Sequence, residues 1–413
     1  MVLHCEQKHL GSADSIAQKT VNVLQSLGSP SKGNRGKRLL VIINPHSGRG
    51  KARKTYHSVV EAMLQAAGFE VVLHVTERPG QATDIVRDEA LEQFQAVVAV
   101  GGDGTAFEVL QGYFHGQHWQ QRTRTPFCLV PSGSGNALSA NCGMWDAVTA
   151  AYAVCKGKQR PIDIFSVLQA QGQRFYAFLS IYYGMMANLD RGTDHLRWMG
   201  SVRFTIGALH EIFQRKKYAA RVAFLPSASA ERLPHADRGS SSPGNAHERS
   251  EGKAASNKQE HGRMEGNSAP QGPATQILDG LGDLSRLDLF NANALPQGWR
   301  MLPCEETSFF AAVNLPFLDF TSRTGPQADF DTGCLDLMYV EDLKSRKEGL
   351  EFLEAIGKGK HLEGSNCLLE KVAALIIDPL SPGTWLVVDG EDIPYRRVYV
   401  EGKSNWPLCG GNM

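Results

Sequence analysis

The chain has 413 residues, with 43 Lys+Arg against 43 Asp+Glu and eight scattered cysteines that form no CxxC pair. That length suits two domains with sizeable cores, and the neutral charge balance gives no support to a nucleic-acid partner. The cysteine spacing matches neither a disulfide framework nor a zinc site and fits a reducing, cytoplasmic compartment.

Residues 1–36 begin with the charged "MVLHCEQKHLGSADS", which lacks the apolar stretch of a signal peptide, and end in the polar "SLGSPSKGNRGK". They are expected to form a flexible tail. "RLLVIINP" reads as a buried strand, and "KARKTYHSVVEAMLQAAG" carries Val59, Val60, Met63, Leu64 and Ala67 at helical spacing before Gly68. The strand "FEVVLHVTE", the helix "GQATDIVRDEALEQF" and the strands "AVVAV" and "FCLVP" follow. Strands apolar on both faces that alternate with helices predict a parallel sheet covered by helices, an α/β, Rossmann-like domain over 37–160. Ligands of such sheets collect beyond the carboxyl ends of the strands. The unusual loops fall there: "NPHSGRG", "TERPG", "GGDGT" and "PSGSGN".

Beyond Ile162 the pattern changes. "PIDIFSVLQAQGQRFYAFLSIYYGMMANLD" reads as two long strands joined by a polar hairpin, "SVRFTIGALHEIFQ" as a helix and "KYAARVAFLP" as a strand. Further strands are expected at "TSFFAAVNLP", "CLDLMYV", "VAALIID", "TWLVVDG" and "RRVYVEG". These predict a mainly antiparallel β-sandwich C-terminal domain over 161–226 and 284–403. Residues 227–283 are poor in large apolar residues and rich in Ser, Gly, Pro and charge, so a disordered insertion is expected there. Residues 404–413 are expected to be a tail. No apolar run approaches the roughly 20 residues that span a bilayer, so a soluble protein, at most resting on a membrane surface, is expected.

Glycine-rich turns let backbone N–H groups approach phosphate oxygens, and a following helix adds its positive end. In "PSGSGNALSA", Gly133, Ser134 and Gly135 can wrap a phosphate, with Asn136 near the helix start; "NPHSGRGKA" adds Arg49 and Lys51. Neither is a Walker loop, and no complete GxGxxG is present. One such loop can be a mere tight turn, but four at consecutive strand ends argue for one ligand site. Asp103, set among glycines in "GGDGT", could cap a helix. Thr105 is also available as that cap. An Asp so exposed could instead accept the proton of an attacking hydroxyl or help hold a metal, and this catalytic reading is preferred.

In this order, "NPHSGRGKA", "GGDGTAFEVLQG" and "PSGSGNALSA" resemble the catalytic domain of the diacylglycerol kinase and sphingosine kinase superfamily. GGDGT alone is shared with NAD kinases. "LSIYYGMMANLDRGTDHLRWMGSVRFTIGALHEIF" resembles the sphingosine kinase segment that holds a substrate-amine carboxylate and two phosphate-binding arginines, and "LVVDGEDIP" resembles that family's Asp-Gly-Glu motif. The resemblance runs from about Arg38 to Lys403, apart from the region Ser227–Trp299.

It implies an ATP-dependent kinase that phosphorylates the primary hydroxyl of sphingosine or a related long-chain base. ATP would be held by Asn44, Pro45 and His46, by Thr76, Glu77, Arg78, Pro79 and Gly80, by Glu108, and by Gly133, Ser134 and Gly135. Arg197 and Arg203 would bind its phosphates; Asp389, Gly390 and Glu391 would complete the nucleotide–Mg²⁺ region, with Asp389 toward the metal. Gly101, Gly102, Asp103 and Gly104 would lie against the acceptor, Asp103 as the base. Asp190 would pair with the ammonium, and Ser180 would bond a headgroup hydroxyl. "FLSIYYGMM", "FTIGALHEIF" and "LPFLDF" would line the alkyl site. Asn188 departs from the family, many of whose members carry an acid there. Partners are the lipid and a transient membrane surface, and a homodimer is allowed. The alternatives are a diacylglycerol or ceramide kinase, a catalytically silent lipid- or nucleotide-binding regulator, and, more remotely, an NAD kinase.

Overall fold

Strands β1 (Arg38–Ile43), β3 (Phe94–Gly101) and β4 (Phe127–Pro131) are almost wholly buried apolar runs because the sheet they form is covered on both faces. The computed structural model describes residues 34–116, 118–133, 135–169, 172–193, 202–227, 295–363 and 366–410. β2 (Glu70–Val75) lies at the sheet edge and is accordingly half-exposed. The order β4–β3–β1–β2 is parallel throughout. Crossovers are supplied by helical residues 52–66 (α1), which include a π turn at Tyr56–Val60, and by α2 (Gln81–Asp88) and α3 (Asp103–Tyr113). Two further helices, α4 (Ala137–Asn141) and α5 (Ala147–Lys156), follow β4.

The second half is antiparallel. It comprises β5 (Gln159–Gln169), β6 (Arg174–Ala177), β7 (Ser180–Tyr183), β8 (Tyr218–Pro226), the short β9 (Arg300–Met301) and β10 (Glu306–Thr307), and β11 (Phe309–Val313). β12 (Leu335–Val340), β13 (Leu368–Pro379), β14 (Leu386–Val388), β15 (Glu391–Ile393) and β16 (Val398–Cys409) complete it. Helices α6 (Met185–Asp190), α7 (Val202–Gln214) and α8 (Arg346–Gly357) pack beside these strands. The inner faces enclose a second apolar core, with Ile181, Val222, Phe309, Leu337 and Val398 among its buried members.

Three expectations are corrected. The long strand expected after the hairpin breaks at 178–179, because the backbone N–H groups of Phe178, Leu179 and Ser180 bond a side chain from residue 389 rather than a neighbouring strand. Its continuation "GMMANLD" is not strand but α6, entered through Gly184 at φ +66, where a Cβ would stand 2.6 Å from the Tyr218 ring. The tail expected from 404 is instead the end of β16, which pairs with β5 as far as Cys409↔Gln159 and touches β4 at Leu408↔Phe127. Trp406 is fully buried there, stacked on Phe127 at 5.0 Å. β16 therefore ties the two halves into one continuous sheet. Of the expected insertion 227–283, residues 228–283 lie outside the described residues, as do 284–294 of the second domain and 1–33 of the expected N-terminal tail; Ser227 itself is placed, its N–H donating to the Lys371 carbonyl at 2.8 Å.

Candidate active site

The parallel strands end level, with Ile43 beside Val75 and Val100, and Gly101 beside Pro131. The loops that follow pack on one another. A Cβ on Gly48, which has φ +62, would stand 1.8 Å from the Ser132 carbonyl oxygen; one on Gly102 would stand 2.8 Å from that of Gly135. Only glycine permits backbones to approach this closely. Asn44 Nδ2 donates to Thr105 Oγ1 at 3.2 Å, and Thr76 N donates to the Ile43 carbonyl at 2.9 Å. Glu108 reaches across from α3 and accepts from Ala82 N in the first turn of α2 at 3.2 Å. The four loops thus share one rim.

Asp103 opens α3 but does not cap it. Its carboxylate accepts from Ala137 N at 2.8 Å and Leu138 N at 3.1 Å, the first turn of α4. The acid is therefore a cap, of a different helix, and its anion gains the positive end of that helix. Burial pushes the Asp103 carboxyl up to about 6, against the two N–H bonds that lower it; the charges of Asp190 and Asp319 raise it further. Such a group is ionised near neutral pH yet retains proton affinity, the combination a general base needs.

The second half closes over this acid. Asp389 and Gly390 are the two central residues of the β14–β15 hairpin, with φ +52 and +85, which matches a type I′ turn. The Asp389 carboxylate turns inward and accepts from Phe178 N at 2.8 Å and from Leu179 N and Ser180 N at 2.9 Å each. It is 2% exposed, and burial pushes its carboxyl up to about 7, with the three N–H bonds opposing and Asp103 adding to the rise. Both Asp389 oxygens thus accept from main chain, Oδ1 twice and Oδ2 once. Among the described residues no group of three His, Cys, Asp or Glu side chains is placed to hold a metal ion.

Glu391, next along the hairpin, reaches the first half: its Oε1 lies 2.8 Å from where a Cβ on Gly104 would stand. Asp190, at the end of α6, accepts from the Tyr182 hydroxyl at 2.7 Å, and its Oδ2 lies 3.6 Å from the Cβ position of Gly390. The Ser180 hydroxyl is buried and has no hydrogen-bond partner among the described residues. Asp103, Asp190, Ser180 and Glu391 therefore gather around the Asp389–Gly390 turn.

The remaining expected residues are placed as follows. Gly133 N is taken by Gly101 O and Asn136 Oδ1, so this loop is closed on itself at that point. Gly135 O accepts from Asp103 N at 3.2 Å. His46 N bonds Asn44 Oδ1, Glu77 N bonds Gln81 Oε1, and Arg78 pairs with Asp84 at 2.5 Å. Pro45 lies in the turn after β1; Pro79 and Gly80 lead into α2, with Gly80 at φ +78. Ser134 and Arg197 lie outside the described residues, and Arg203 lies on α7. Asn188 faces away from the turn, bonding Tyr218 at 2.7 Å, Glu211 at 3.1 Å and Thr384 at 2.9 Å, so the departure there anchors α6. Of the segments expected to line an alkyl site, "FLSIYYGMM" is largely buried and "LPFLDF" half-buried. On α7, Ala208 and Ile212 point inward while Ile206, Leu209 and Phe213 are exposed.

Sequence reasoning missed Tyr182 and Arg191. Each sits within a segment quoted above, but tyrosine in a strand reads as core, and an arginine after a helix end reads as solvated. Among the described residues no helix is long and apolar enough to cross a membrane, and the seven described cysteines are free thiols.

Residues 38–167 match the model of the diacylglycerol kinase catalytic domain. Human sphingosine kinase 1 is 27% identical to this chain, over 92% of this chain and 94% of its own length. Sphingoid long chain base kinase 4 of Schizosaccharomyces pombe is 26% identical, over 87% and 72% respectively. Solved structures named as diacylglycerol kinases of Bacillus anthracis share the fold, with TM-scores of 0.58 and 0.53 at 16% identity, covering 91% of this chain and 97% of theirs.

Proposed function

We propose, for a chain that belongs to the diacylglycerol kinase catalytic-domain superfamily and is a lipid kinase phosphotransferase, that the acceptor is a sphingoid long-chain base and the product its 1-phosphate. The observation that carries this reading is the convergence of Asp103 and Asp190, from opposite halves, on the Asp389–Gly390 turn. A diacylglycerol headgroup is uncharged, whereas a sphingoid base carries, on the carbon next to the one that bears the reacting hydroxyl, an ammonium with which a carboxylate can pair.

In this reading the base's primary hydroxyl lies against Gly101–Gly104. Asp103 accepts its proton, the oxygen attacks the γ-phosphorus of ATP in line, and the bond to the β–γ bridging oxygen breaks to release ADP. The N–H groups of α4 hold the Asp103 carboxylate in place during the transfer. Asp190, oriented by Tyr182, pairs with the ammonium, and Ser180 supplies a hydrogen bond to a headgroup hydroxyl. Asn44–His46, Thr76–Gly80, Glu108, Gly133 and Gly135 surround the nucleotide.

Mg²⁺, where bound, would neutralise charge on the β- and γ-phosphates. The acids of that turn that would hold it are Asp389, whose Oδ2 accepts a single N–H, and Glu391, whose Oε1 reaches toward Gly104.

The test is a phosphate-transfer assay that offers sphingosine, ceramide and diacylglycerol side by side in mixed micelles. Transfer to sphingosine is expected. Transfer to diacylglycerol or ceramide alone would reverse the acceptor assignment.

A further inference from the structure

The Asp389–Gly390 turn is gripped from two sides. Inside, the Asp389 carboxylate holds the backbone of 178–180. Outside, the guanidinium of Arg191, which immediately follows α6, straddles the hairpin. Its Nη1 donates to the Gly390 carbonyl at 3.4 Å and lies 3.8 Å from Glu391 Oε2, while its Nη2 bonds the Asp392 carboxylate. The side chain is 18% exposed, against 42% and 48% for the two acids.

One planar fork thus connects the residue after Asp190 to three consecutive residues of the opposing hairpin. This geometry suits arginine and not lysine, because the donors diverge from a rigid plane toward a carbonyl and two carboxylates at once.

The consequence falls on the headgroup side. Gly390 forms the wall against Asp190, and Glu391 lies over Gly104, the neighbour of the proposed base. Without the fork, the hairpin tip loses the contacts that Arg191 makes to Gly390, Glu391 and Asp392, and both spacings can drift. Misplacement of about 1 Å in such a wall is enough to cost a large factor in rate.

We infer that Arg191 is a positioning residue that sets the distance between the Asp-Gly-Glu turn and the end of α6, and thereby the fit of the amine-bearing headgroup. The inference rests on the acceptor reading above. Its pairs are partly exposed, so it contributes little to global stability.

The experiment compares full-length wild type, Arg191→Ala, Arg191→Lys, Asp392→Asn and Asp190→Asn, with sphingosine and ATP varied separately and the melting temperature measured for each. For Arg191→Ala, the KM for sphingosine is expected to rise roughly tenfold and clearly more than the KM for ATP, while the melting point barely moves. Arg191→Lys should recover part of the loss, and Asp392→Asn, which removes a partner from the exposed side, should reproduce a smaller version of it. If Asp190→Asn raises the sphingosine KM but Arg191→Ala and Asp392→Asn do not, the positioning role is wrong and the acceptor reading stands. If no variant, Asp190→Asn included, moves that KM, the acceptor reading itself fails. A loss in Arg191→Ala that scales with a lowered melting point and spreads over both substrates would make Arg191 structural and overturn the inference.

Discussion

Tyr182 and Asp190 are linked by a hydrogen bond of 2.7 Å that joins the inner strand β7 to the end of α6 and aims the acid at the hairpin turn. Burial raises the Tyr182 hydroxyl well above its ordinary range, and the Asp190 charge raises it further, so this phenol stays a donor at all working pH values. Tyr182→Phe removes one bond to a charged group, worth about 1.5 kcal/mol or roughly a tenfold effect. The KM for the amine acceptor should rise by that factor while the KM for ATP stays put. Steady-state kinetics with both substrates varied will check this, and an unchanged acceptor KM would mean that Asp190 is oriented by other contacts.

With Asp103 as the proposed base, its ionisation is expected to set the acid limb of the pH profile. Only its ionised form can take the hydroxyl proton, so kcat/KM should climb as pH rises through about 6 and level off above it. The charge of Asp190 is one of the contributions that raise this group. Asp190→Asn should therefore move the acid limb to lower pH as well as weaken amine binding. A limb that does not move would place the two acids too far apart to communicate.

Asp103→Asn should lower kcat by roughly 10²–10⁴ while nucleotide binding is largely retained, because the amide oxygen can still accept from the first turn of α4. Asp103→Ala loses that cap too and should cost about 1 kcal/mol of stability in addition. Thermal melts beside nucleotide titration separate the two effects. Retained turnover in Asp103→Asn would remove this residue from the base role.

Asp389→Ala strands three buried N–H groups at 178–180, and a loss of roughly 3–5 kcal/mol is expected from the unmet donors. A metal ligand would behave differently. Its removal would alter the Mg²⁺ dependence of activity and leave the melting point of the metal-free protein nearly unchanged, so melting without divalent cation is the deciding measurement.

Trp406→Ala should destabilise by about 3–5 kcal/mol, since the indole is fully buried between Phe127 and Tyr113, whose ring centroids lie 5.0 Å and 4.9 Å away. Denaturant unfolding will measure it. A change below about 1 kcal/mol would restore the view that the last ten residues are a dispensable tail.

Apolar runs, their period, and the glycines at strand ends were legible from residue order alone, because each reflects how a residue's own backbone and immediate neighbours behave. That is why β1, β3 and β4 and the four rim loops stand where the pattern put them. "KSNWPLC" offered no such pattern: an isolated tryptophan among polar residues and a proline looks like solvent-exposed chain until β5 is laid alongside it. The same limit applied at the site. Asp103 is visibly unusual, but that it grips a helix 34 residues away, and that Asp389 serves main chain 209 to 211 residues distant, depends on strand order. Local sequence carries no information about which distant N–H groups are left unpaired, and an acid's proton affinity follows from those partners and from its burial. What the acids are is written in the chain; which distant main chain they bond, and which part of the other half they approach, was decided only when the two halves met across β16.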